Sequence, residues 1–576
     1  MSNFIRKRAA RVKSEVVNFK LEVAREESSI APAGVISNID TDPSTPGQRT
    51  WGYGIWSLYW ASDILVISGW QKVSAAIVLG LDWKNAVGAV LLGSIILTFP
   101  LCLNGRMGAV NRIPYVPHTV CRLNDLPDAT PISSFPICIR ASYGYHLAKF
   151  AIVSRCVTAS FWFAIQGWNG GTCVRLMIGA IWPSFLKLQS HVSANQGYTV
   201  QTMVSYLIFW MIQFPLLFIH PSKLQPVFAL KFVMVPICMM AILGWCVAQA
   251  KEQTGGLGAV LSQPPKADGA DFAYAWLKTL TALISGFATL ALNIPDFSRY
   301  SKGRNTPLVQ APLIPVIYTF LAITSAICGS CTQAIYGKAL WSPVDIIAKW
   351  DSRAAVFFAA FAWMFAQMVQ NLSANSISAA NDLATLFPRY LNIRRAQIVI
   401  AVLAGWCLVP WKILASATTF YNFISGYGIV LGPFAGVMLF DYYIVKRQKL
   451  DVPALYDPHG RYRYNKFGCN WRAAVAFVVG FAPNIPGLVS SVNPHIHIGN
   501  ARWIYAVSWL YGFLSSSFVY LILNWVWPDK TGSLVEKAVH PDDYLAEIRA
   551  EQTTRSETDD VDDEKKADSA VHVVSL

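Results

Sequence analysis

Two side chains four residues apart on a long apolar segment are well suited to bind a small molecule. Trp162 and Gln166 lie in the run FWFAIQGW at residues 161–168. On a helix they share one face, which offers a flat aromatic surface beside an amide that both donates and accepts hydrogen bonds. This pair suits a planar heterocycle with amide-like edges. A buried amide without a partner costs about a few kcal/mol, so the alternative is that Gln166 simply joins two helices.

The residues around this pair predict a membrane protein. The chain has 576 residues, of which 54% are hydrophobic and 14% charged, outside the usual range for a soluble protein of this size. Apolar segments recur with lengths near the ~20 residues that cross a bilayer. Twelve spans are expected, at about residues 55–80, 86–105, 143–182, 199–220, 226–249, 273–296, 308–335, 354–386, 394–412, 415–444, 472–492 and 502–527.

The placement of charge predicts how these spans are oriented. The net charge is +14, but Lys and Arg concentrate in the N-terminal tail and in the even-numbered connections, as in the cluster Arg389, Arg394 and Arg395. The positive-inside rule then puts both termini in the cytoplasm. Nucleic-acid binding is a poor explanation of the charge, because no basic soluble domain remains to carry it.

The two ends of the chain differ from the part between them. Residues 1–50 are polar and basic, and residues 529–576 are acidic and rich in Ser and Thr, which predicts a disordered cytoplasmic tail. Such tails suit trafficking machinery and ubiquitination, for example at Lys565 or Lys566. The predicted units are therefore the tail 1–50, a five-helix repeat 51–250, a second inverted five-helix repeat 251–445, helices 11 and 12 with their loop at 446–528, and the tail 529–576.

Polar residues inside spans predict where a solute passes. Span 8 carries Gln367, Asn371, Asn375, Ser378 and Asp382, a stripe along one helical face. Span 1 is unusually polar, and Pro295 in span 6 predicts an interruption of the helix near Ile294. Unusual first and sixth spans fit two five-helix repeats. Because each repeat has an odd number of spans, the second must be inverted, and the substrate site then lies near the midplane.

Several motifs resemble the nucleobase:cation symporter-1 family, and the closest likeness is to its fungal uracil and allantoin permeases. The resemblance covers about residues 38 to 530. Its most specific run is NIPDFSRY, at residues 293–300. The other runs are NIDTDP (38–43), QRTWG (48–52), FWFAIQGW (161–168), NSISAAND (375–382), GPFAG (432–436) and DYY (441–443).

The resemblance implies a fold, an activity and site residues. It implies an all-α membrane protein of twelve helices, with a LeuT-type 5+5 inverted repeat plus two extra helices. It further implies cation-driven uptake of a nucleobase-like solute. In that family a Trp and a Gln of the third helix stack on and hydrogen-bond the heterocycle, which matches Trp162 and Gln166. An Asn of the eighth helix matches Asn375, and an aromatic residue of the sixth matches Phe287.

Departures from the family pattern affect the expected cation and substrate. Sodium-using members carry small or hydroxyl residues near Val369, which offers no oxygen, whereas a hard cation needs several oxygen ligands. We therefore expect proton coupling and no other cofactor or metal. Val66 replaces a side chain that is often polar, which predicts a larger or less polar substrate. Asn371 is a further candidate for the cavity, and Tyr427 in span 10 is either a gate or an ordinary packing residue.

Charged residues supply candidates for coupling and gating. Asp63, Asp296 and Asp382 are candidate proton carriers, which sequence alone does not rank. Asp40 and Asp42 precede span 1, while Arg299 and Lys302 follow span 6, so these four residues are candidates for a cytoplasmic latch.

Three functional interpretations remain open from sequence. The main one is a proton-coupled plasma-membrane importer of uracil, allantoin or a related heterocycle. The nearest alternative is a transporter of thiamine, uridine or nicotinamide riboside, and the alternative of another class is a membrane sensor that does not transport. No Walker loop, catalytic triad or paired carboxylates indicate an enzyme or an ATP-driven pump.

Overall fold

The computed structural model describes residues 49–111, 135–219 and 225–540. Within these ranges, each of the twelve predicted spans corresponds to a helix or to a pair of consecutive helices. The spans, numbered in chain order, are span 1 (Tyr53–Ile64 and Ile67–Val78), span 2 (Trp83–Asn111), span 3 (Ala148–Ile181), span 4 (Val200–Leu216), span 5 (Gln225–Thr254), span 6 (Gly269–Ser285 and Ala288–Ser298), span 7 (Gln310–Tyr336), span 8 (Arg353–Gln370 and Ser376–Leu386, joined by a π turn at Asn371–Asn375), span 9 (Ile393–Cys407), span 10 (Ala417–Phe440, extended by a π turn at Asp441–Val445), span 11 (Trp471–Phe481 and Ile485–Val492) and span 12 (Ser508–Val526).

Side chains at the helix starts explain where several spans begin. Ser352, Asn392 and Ser416 each accept a hydrogen bond from a backbone N–H of the following first turn, at 3.3, 2.9 and 3.0 Å. Such caps satisfy donors that a helix cannot satisfy itself. Span 7 ends at Gly337, whose φ of +70° is the left-handed conformation that favours glycine.

The spans form two groups with the site between them. Spans 2, 6 and 7 pack together with span 1, and span 3 packs against spans 4, 8 and 9. Spans 11 and 12 pack on span 10. Polar side chains such as Gln166 are buried, whereas Ile237, Phe358 and Phe518 are exposed on the outside of the bundle. This distribution suits a bilayer, because lipid takes the place of water around the apolar exterior.

Span 1 and span 6 are both broken, as expected, but the break in span 6 is not at Pro295. Span 1 breaks at Leu65 and Val66, where Val66 is fully extended (φ −138°, ψ 162°). Span 6 breaks at Gly286 and Phe287, and its second helix continues through Pro295 to Ser298. The predicted interruption near Ile294 is therefore wrong.

Span 6 stays helical through Pro295 because a side chain of span 2 supplies the missing hydrogen bond. Proline has no N–H, so Pro295 leaves the carbonyl of Ala291 without its helical donor. Asn104 of span 2 donates to that carbonyl at 2.7 Å. A side chain from a neighbouring helix thus replaces the missing backbone hydrogen bond, and the helix stays intact.

Part of the predicted C-terminal tail is folded. Residues 529–540 are described, and Val539 exchanges backbone hydrogen bonds with Leu450 and Val452 at 2.9 and 3.0 Å. Asp529 lies 3.6 Å from Arg472 at the start of span 11. The disordered tail predicted from residue 529 therefore begins too early, since these twelve residues are held by the loop that precedes span 11.

We expect Asn104→Leu to destabilise the protein by about 1–2 kcal/mol, because it leaves the Ala291 carbonyl unpaired in the membrane. Adding Pro295→Ala restores a backbone donor and should recover most of this loss. The measurement is thermal unfolding of the purified protein in detergent. Ser94→Ala is the control, because Ser94 is buried in the same span but bonds only within it, to Leu91. A double variant no more stable than Asn104→Leu alone would contradict this account.

Candidate functional site

The breaks in spans 1 and 6 open onto a narrow cavity of about 40 Å³ between spans 1, 3, 6 and 8. All four residues predicted to bind substrate line it, together with Val66 and Asp63. The lining residues are Asp63, Val66, Ser68, Lys72, Ala159, Trp162, Gln166, Gly286, Phe287, Thr289, Leu290, Asn293, Gln370, Ala374, Asn375 and Ser378.

Gln166 has one satisfied atom and one open atom. Its Nε2 donates to Ser68 Oγ of span 1 at 2.8 Å. Its Oε1 has no hydrogen-bond partner among the described residues. A buried carbonyl oxygen at the edge of a cavity suits an N–H donor from a bound molecule, so Gln166 both joins two spans and offers an acceptor.

Trp162 closes the cavity on the side opposite the predicted cytoplasmic face. Its Nε1 donates to the hydroxyl of Tyr427 in span 10 at 3.2 Å. The rings of Phe420, Phe423 and Tyr427 meet it edge-on, with centroids 6.2 to 6.4 Å away. Tyr427 does not line the cavity, and the structure places it in this aromatic lid.

The π turn of span 8 separates two asparagines that the sequence puts on one stripe. Asn375 lines the cavity, whereas Asn371 does not. Asn371 Nδ2 donates to Phe163 O of span 3 at 3.1 Å and to Gln213 Oε1 of span 4 at 3.0 Å, and its Oδ1 accepts from Asn375 at 2.8 Å. Asn371 therefore positions Asn375.

Lys72, which sequence analysis missed, lies against the ring of Phe287. The ammonium of Lys72, in the second half of span 1, lies 4.1 Å from the centre of the Phe287 ring and 5.7 Å from that of Trp162. Lys72 is 3% exposed. An ammonium over an aromatic ring makes a cation–π contact, so one face of Phe287 is already occupied by a cation.

A second buried lysine lies behind the cavity, next to the break in span 1. Lys231 of span 5 donates to Ser62 O and to Ala366 O, the latter at 3.0 Å. The neighbouring Asp63 accepts from Gln370 Nε2 at 2.5 Å through Oδ1, while its Oδ2 has no hydrogen-bond partner among the described residues. Of the three predicted proton carriers, Asp63 is the one that lines the cavity.

Asp296 and Asp382 meet at Arg155, a residue that sequence analysis also missed. Arg155 of span 3 bonds Asp382 of span 8 directly and lies 3.8 Å from Asp296 of span 6. Asp296 Oδ1 also accepts from Phe135 N at 2.5 Å. This buried cluster closes the cavity toward the predicted cytoplasmic side.

One cavity residue connects this ionic cluster to the site. Oriented so that both its amide atoms are satisfied, Asn293 accepts from Arg155 Nη1 and from Ser378 Oγ at 2.7 Å each. Asn293 and Ser378 both line the cavity. The floor of the cavity is thus hydrogen-bonded to the cluster beneath it.

The proposed latch is only half described. Asp40 and Asp42 lie outside the described residues. Arg299 donates to its neighbour Tyr300 at 2.6 Å, and the Lys302 backbone N–H donates to Trp51 O at 2.8 Å. Trp56 Nε1 also donates to Ser301 Oγ at 3.1 Å, so the start of span 1 and the end of span 6 are held together by these contacts.

The sequence as a whole matches a known transporter family. The family model described as a permease for cytosine/purines, uracil, thiamine and allantoin matches residues 43–116 and 133–512. The chain belongs to this family. It is therefore a multi-pass membrane permease and not an enzyme, as the sequence predicted.

Individual relatives and a solved structure agree with this assignment. An uncharacterized permease of Schizosaccharomyces pombe is 33% identical over 89% of this chain and 87% of its own. The allantoin permease of Saccharomyces cerevisiae is 30% identical over 85% and 76%. Mhp1, a nucleobase-cation-symport-1 family transporter solved in a closed conformation with bromovinylhydantoin bound, has a TM-score of 0.61 at 18% identity, over 87% of this chain and 98% of its own. The predicted LeuT-type fold is confirmed.

The three residues that sequence analysis missed carry a signal in the sequence, whereas their interaction partners do not. Arg155, Lys72 and Lys231 are charges inside spans, which is a signal of function in a membrane protein. That signal was available at all three positions. Their interaction partners could not be recognised from the sequence, because Lys231 binds main-chain carbonyls and Arg155 binds acids more than 140 residues away along the chain.

We expect Arg155→Gln to lower stability by about 3–5 kcal/mol, because it leaves two buried carboxylates without their cation. Adding Asp296→Asn and Asp382→Asn should recover part of the loss. Thermal unfolding of the purified protein measures both. Arg461→Gln is the control, since Arg461 forms a more exposed pair with Asp451 at 3.1 Å and should cost under about 1 kcal/mol. Equal losses in the two single variants would refute a buried charge cluster.

Proposed function

We propose that the protein imports a small nucleobase-like heterocycle across the plasma membrane by proton symport, with both termini in the cytoplasm. The observation that carries this proposal is the shared cavity of Trp162, Gln166, Phe287 and Asn375 between the broken spans. In a transporter of this architecture, such a midplane cavity is where the substrate binds.

The chemistry of the lining supports a planar ring with amide edges. Trp162 presents an aromatic surface for stacking, which contributes about 1 kcal/mol beyond burial. Gln166 Oε1 offers an acceptor to a ring N–H, and Asn375 offers an amide on the opposite wall. The relative named allantoin permease and the hydantoin bound to Mhp1 involve rings of this kind.

Two groups of side chains close the cavity from opposite sides, an arrangement that suits alternating access. The aromatic lid of span 10 lies on one side of the cavity, and the Arg155 cluster lies on the other. Transport requires each closure to open while the other stays shut. The Arg155–Asp296 contact joins span 6 to span 3, which belong to the two packed groups, so rocking of one group against the other would separate this pair.

Lys231 supports coupling to a proton in preference to sodium. Main-chain carbonyls beside a helix break, together with span 8, are typical ligands of a coupling cation in this architecture. Here the Ser62 and Ala366 carbonyls already accept from an ammonium. A lysine that takes up and releases a proton at this point would perform the role of the metal ion without binding one.

For substrate binding, we expect Gln166→Leu to raise the apparent KM for the transported heterocycle at least about tenfold, because a ring N–H then loses its acceptor. Radiolabelled uptake into cells without their own permeases measures this. Asn169→Leu is the matched control, as Asn169 is a buried amide in the same span that bonds Gln71 at 3.3 Å outside the cavity. It should change KM by less than about threefold. Equal effects of the two substitutions would contradict the proposed site.

For coupling, we expect uptake to be several-fold faster at about pH 5.5 than at about pH 7.5, and indifferent to sodium. Lys231→Gln should abolish the stimulation by acid. Lys278→Gln is the control, because Lys278 is a buried lysine that bonds Asn422 Oδ1 at 2.5 Å away from the cavity. Uptake that requires sodium, or that keeps its acid stimulation in Lys231→Gln, would refute this mechanism.

A further inference from the structure

The cavity contains the amino group of Lys72, which is positively charged when protonated and which forms no ion pair with any described residue. Lys72 Nζ lies 4.1 Å from the centre of Phe287, 5.7 Å from that of Trp162 and 6.0 Å from that of Tyr318. No hydrogen bond or ion pair of this ammonium occurs within residues 49–111, 135–219 and 225–540. Aromatic faces compensate only part of the cost of burying a charge, so the ammonium is available to a ligand.

The backbone of span 6 leaves room for this ammonium. A Cβ atom on Gly286 would lie 2.9 Å from Lys72 Nζ. Any other residue there would push the lysine out of its position over Phe287. The glycine at the helix break therefore keeps space for a charged group inside the substrate cavity.

The three charged groups beside the break in span 1, which are Lys72, Lys231 and Asp63, do not cancel one another. Asp63 interacts electrostatically with both Lys72 and Lys231, and among the described residues it is the acid that lines the cavity. Asp63 directs Oδ1 to Gln370, and it does not form an ion pair with Lys72. When Lys72 and Lys231 are both protonated, one carboxylate faces two ammonium groups, and the one positive charge in excess favours a negatively charged ligand.

We propose that the site selects a heterocycle bearing a negative charge, such as a ring carboxylate or a deprotonated acidic ring, and that Lys72 is the residue that selects it. This inference rests on the proposed function. The ring stacks on Trp162 and gives an N–H to Gln166 Oε1, while its anionic group pairs with Lys72. Neutral isosteres leave the ammonium without a partner and bind more weakly.

The first test compares rings that differ only in charge. Uptake is measured for uracil, 6-methyluracil and 6-carboxyuracil, and for nicotinamide and nicotinate, in cells without their own permeases and in vector controls. We expect at least one carboxylate to have a KM about tenfold below that of its neutral counterpart. Transport of neutral rings alone overturns this inference but leaves the proposed function standing. Transport of none of the five compounds overturns both.

The second test asks whether Lys72 causes the preference. Lys72→Met removes the charge at similar length and should reduce the roughly tenfold preference for the carboxylate over its neutral counterpart to less than about twofold. Lys72→Arg should keep the preference. Lys278→Met, which removes a buried lysine outside the cavity, should leave the ratio unchanged. If Lys72→Met weakens neutral and anionic rings equally, Lys72 only shapes the cavity and the inference is wrong. If that variant does not reach the membrane, the preference of the unmodified protein decides the matter.

Discussion

The structure depends on how main-chain groups are satisfied where helices break inside a membrane. Lipid offers no hydrogen bonds, so each carbonyl freed by a break needs a partner from the protein. In span 1 the Ser62 carbonyl accepts from Lys231, and in span 6 Asn104 supplies the donor that Pro295 lacks. Lys231, from span 5, thus satisfies a carbonyl at the break in span 1, while Asn104, from span 2, keeps the second helix of span 6 intact beyond its break at Gly286 and Phe287. The breaks in spans 1 and 6 thus expose main chain beside the polar side chains of the cavity.

Buried charge organises the rest of the site. Arg155 bonds Asp382 within the group of spans 3, 4, 8 and 9, and it reaches Asp296 of span 6 at 3.8 Å. Because the contact within the group is the closer one, separation of the two groups breaks the Asp296 contact first and leaves Arg155 neutralised by Asp382. Burying an arginine between two acids costs desolvation energy whatever its partners. In the proposed rocking motion, a cation that stays paired with Asp382 would lower the energetic barrier between the closed and open states.

Sequence predicted the membrane class, the twelve spans and the residues that meet in the cavity. Trp162, Gln166, Phe287 and Asn375 were found because each is anomalous in a hydrophobic helix or lies in a motif that resembles the family. The break at Gly286 was misplaced, because a proline predicts a missing donor but not whether a neighbour replaces it. Likewise, the regular spacing of the stripe on span 8 did not reveal the π turn at Asn371–Asn375, where Asn375 lines the cavity and Asn371 does not. Lys72 and Lys231 could be seen as charges in the sequence, but their positions follow from packing between spans that are distant along the chain.

Asp63 lies between Lys231 and the cavity, which are the proposed positions of the coupling proton and the substrate. The carbonyl of the neighbouring Ser62 accepts a hydrogen bond from Lys231. The carboxylate of Asp63 accepts one from Gln370, which lines the cavity. A change in the charge of Lys231 therefore alters the electrostatic environment of the cavity through Asp63 alone. By thermodynamic linkage, a ligand that favours one charge state of Lys231 is itself favoured by that state, to the same degree. The proposed anionic ring would strengthen this linkage, because its charge interacts with Asp63 and with both lysines. In such a site, selection of the substrate and coupling to the proton depend on the same electrostatic interaction.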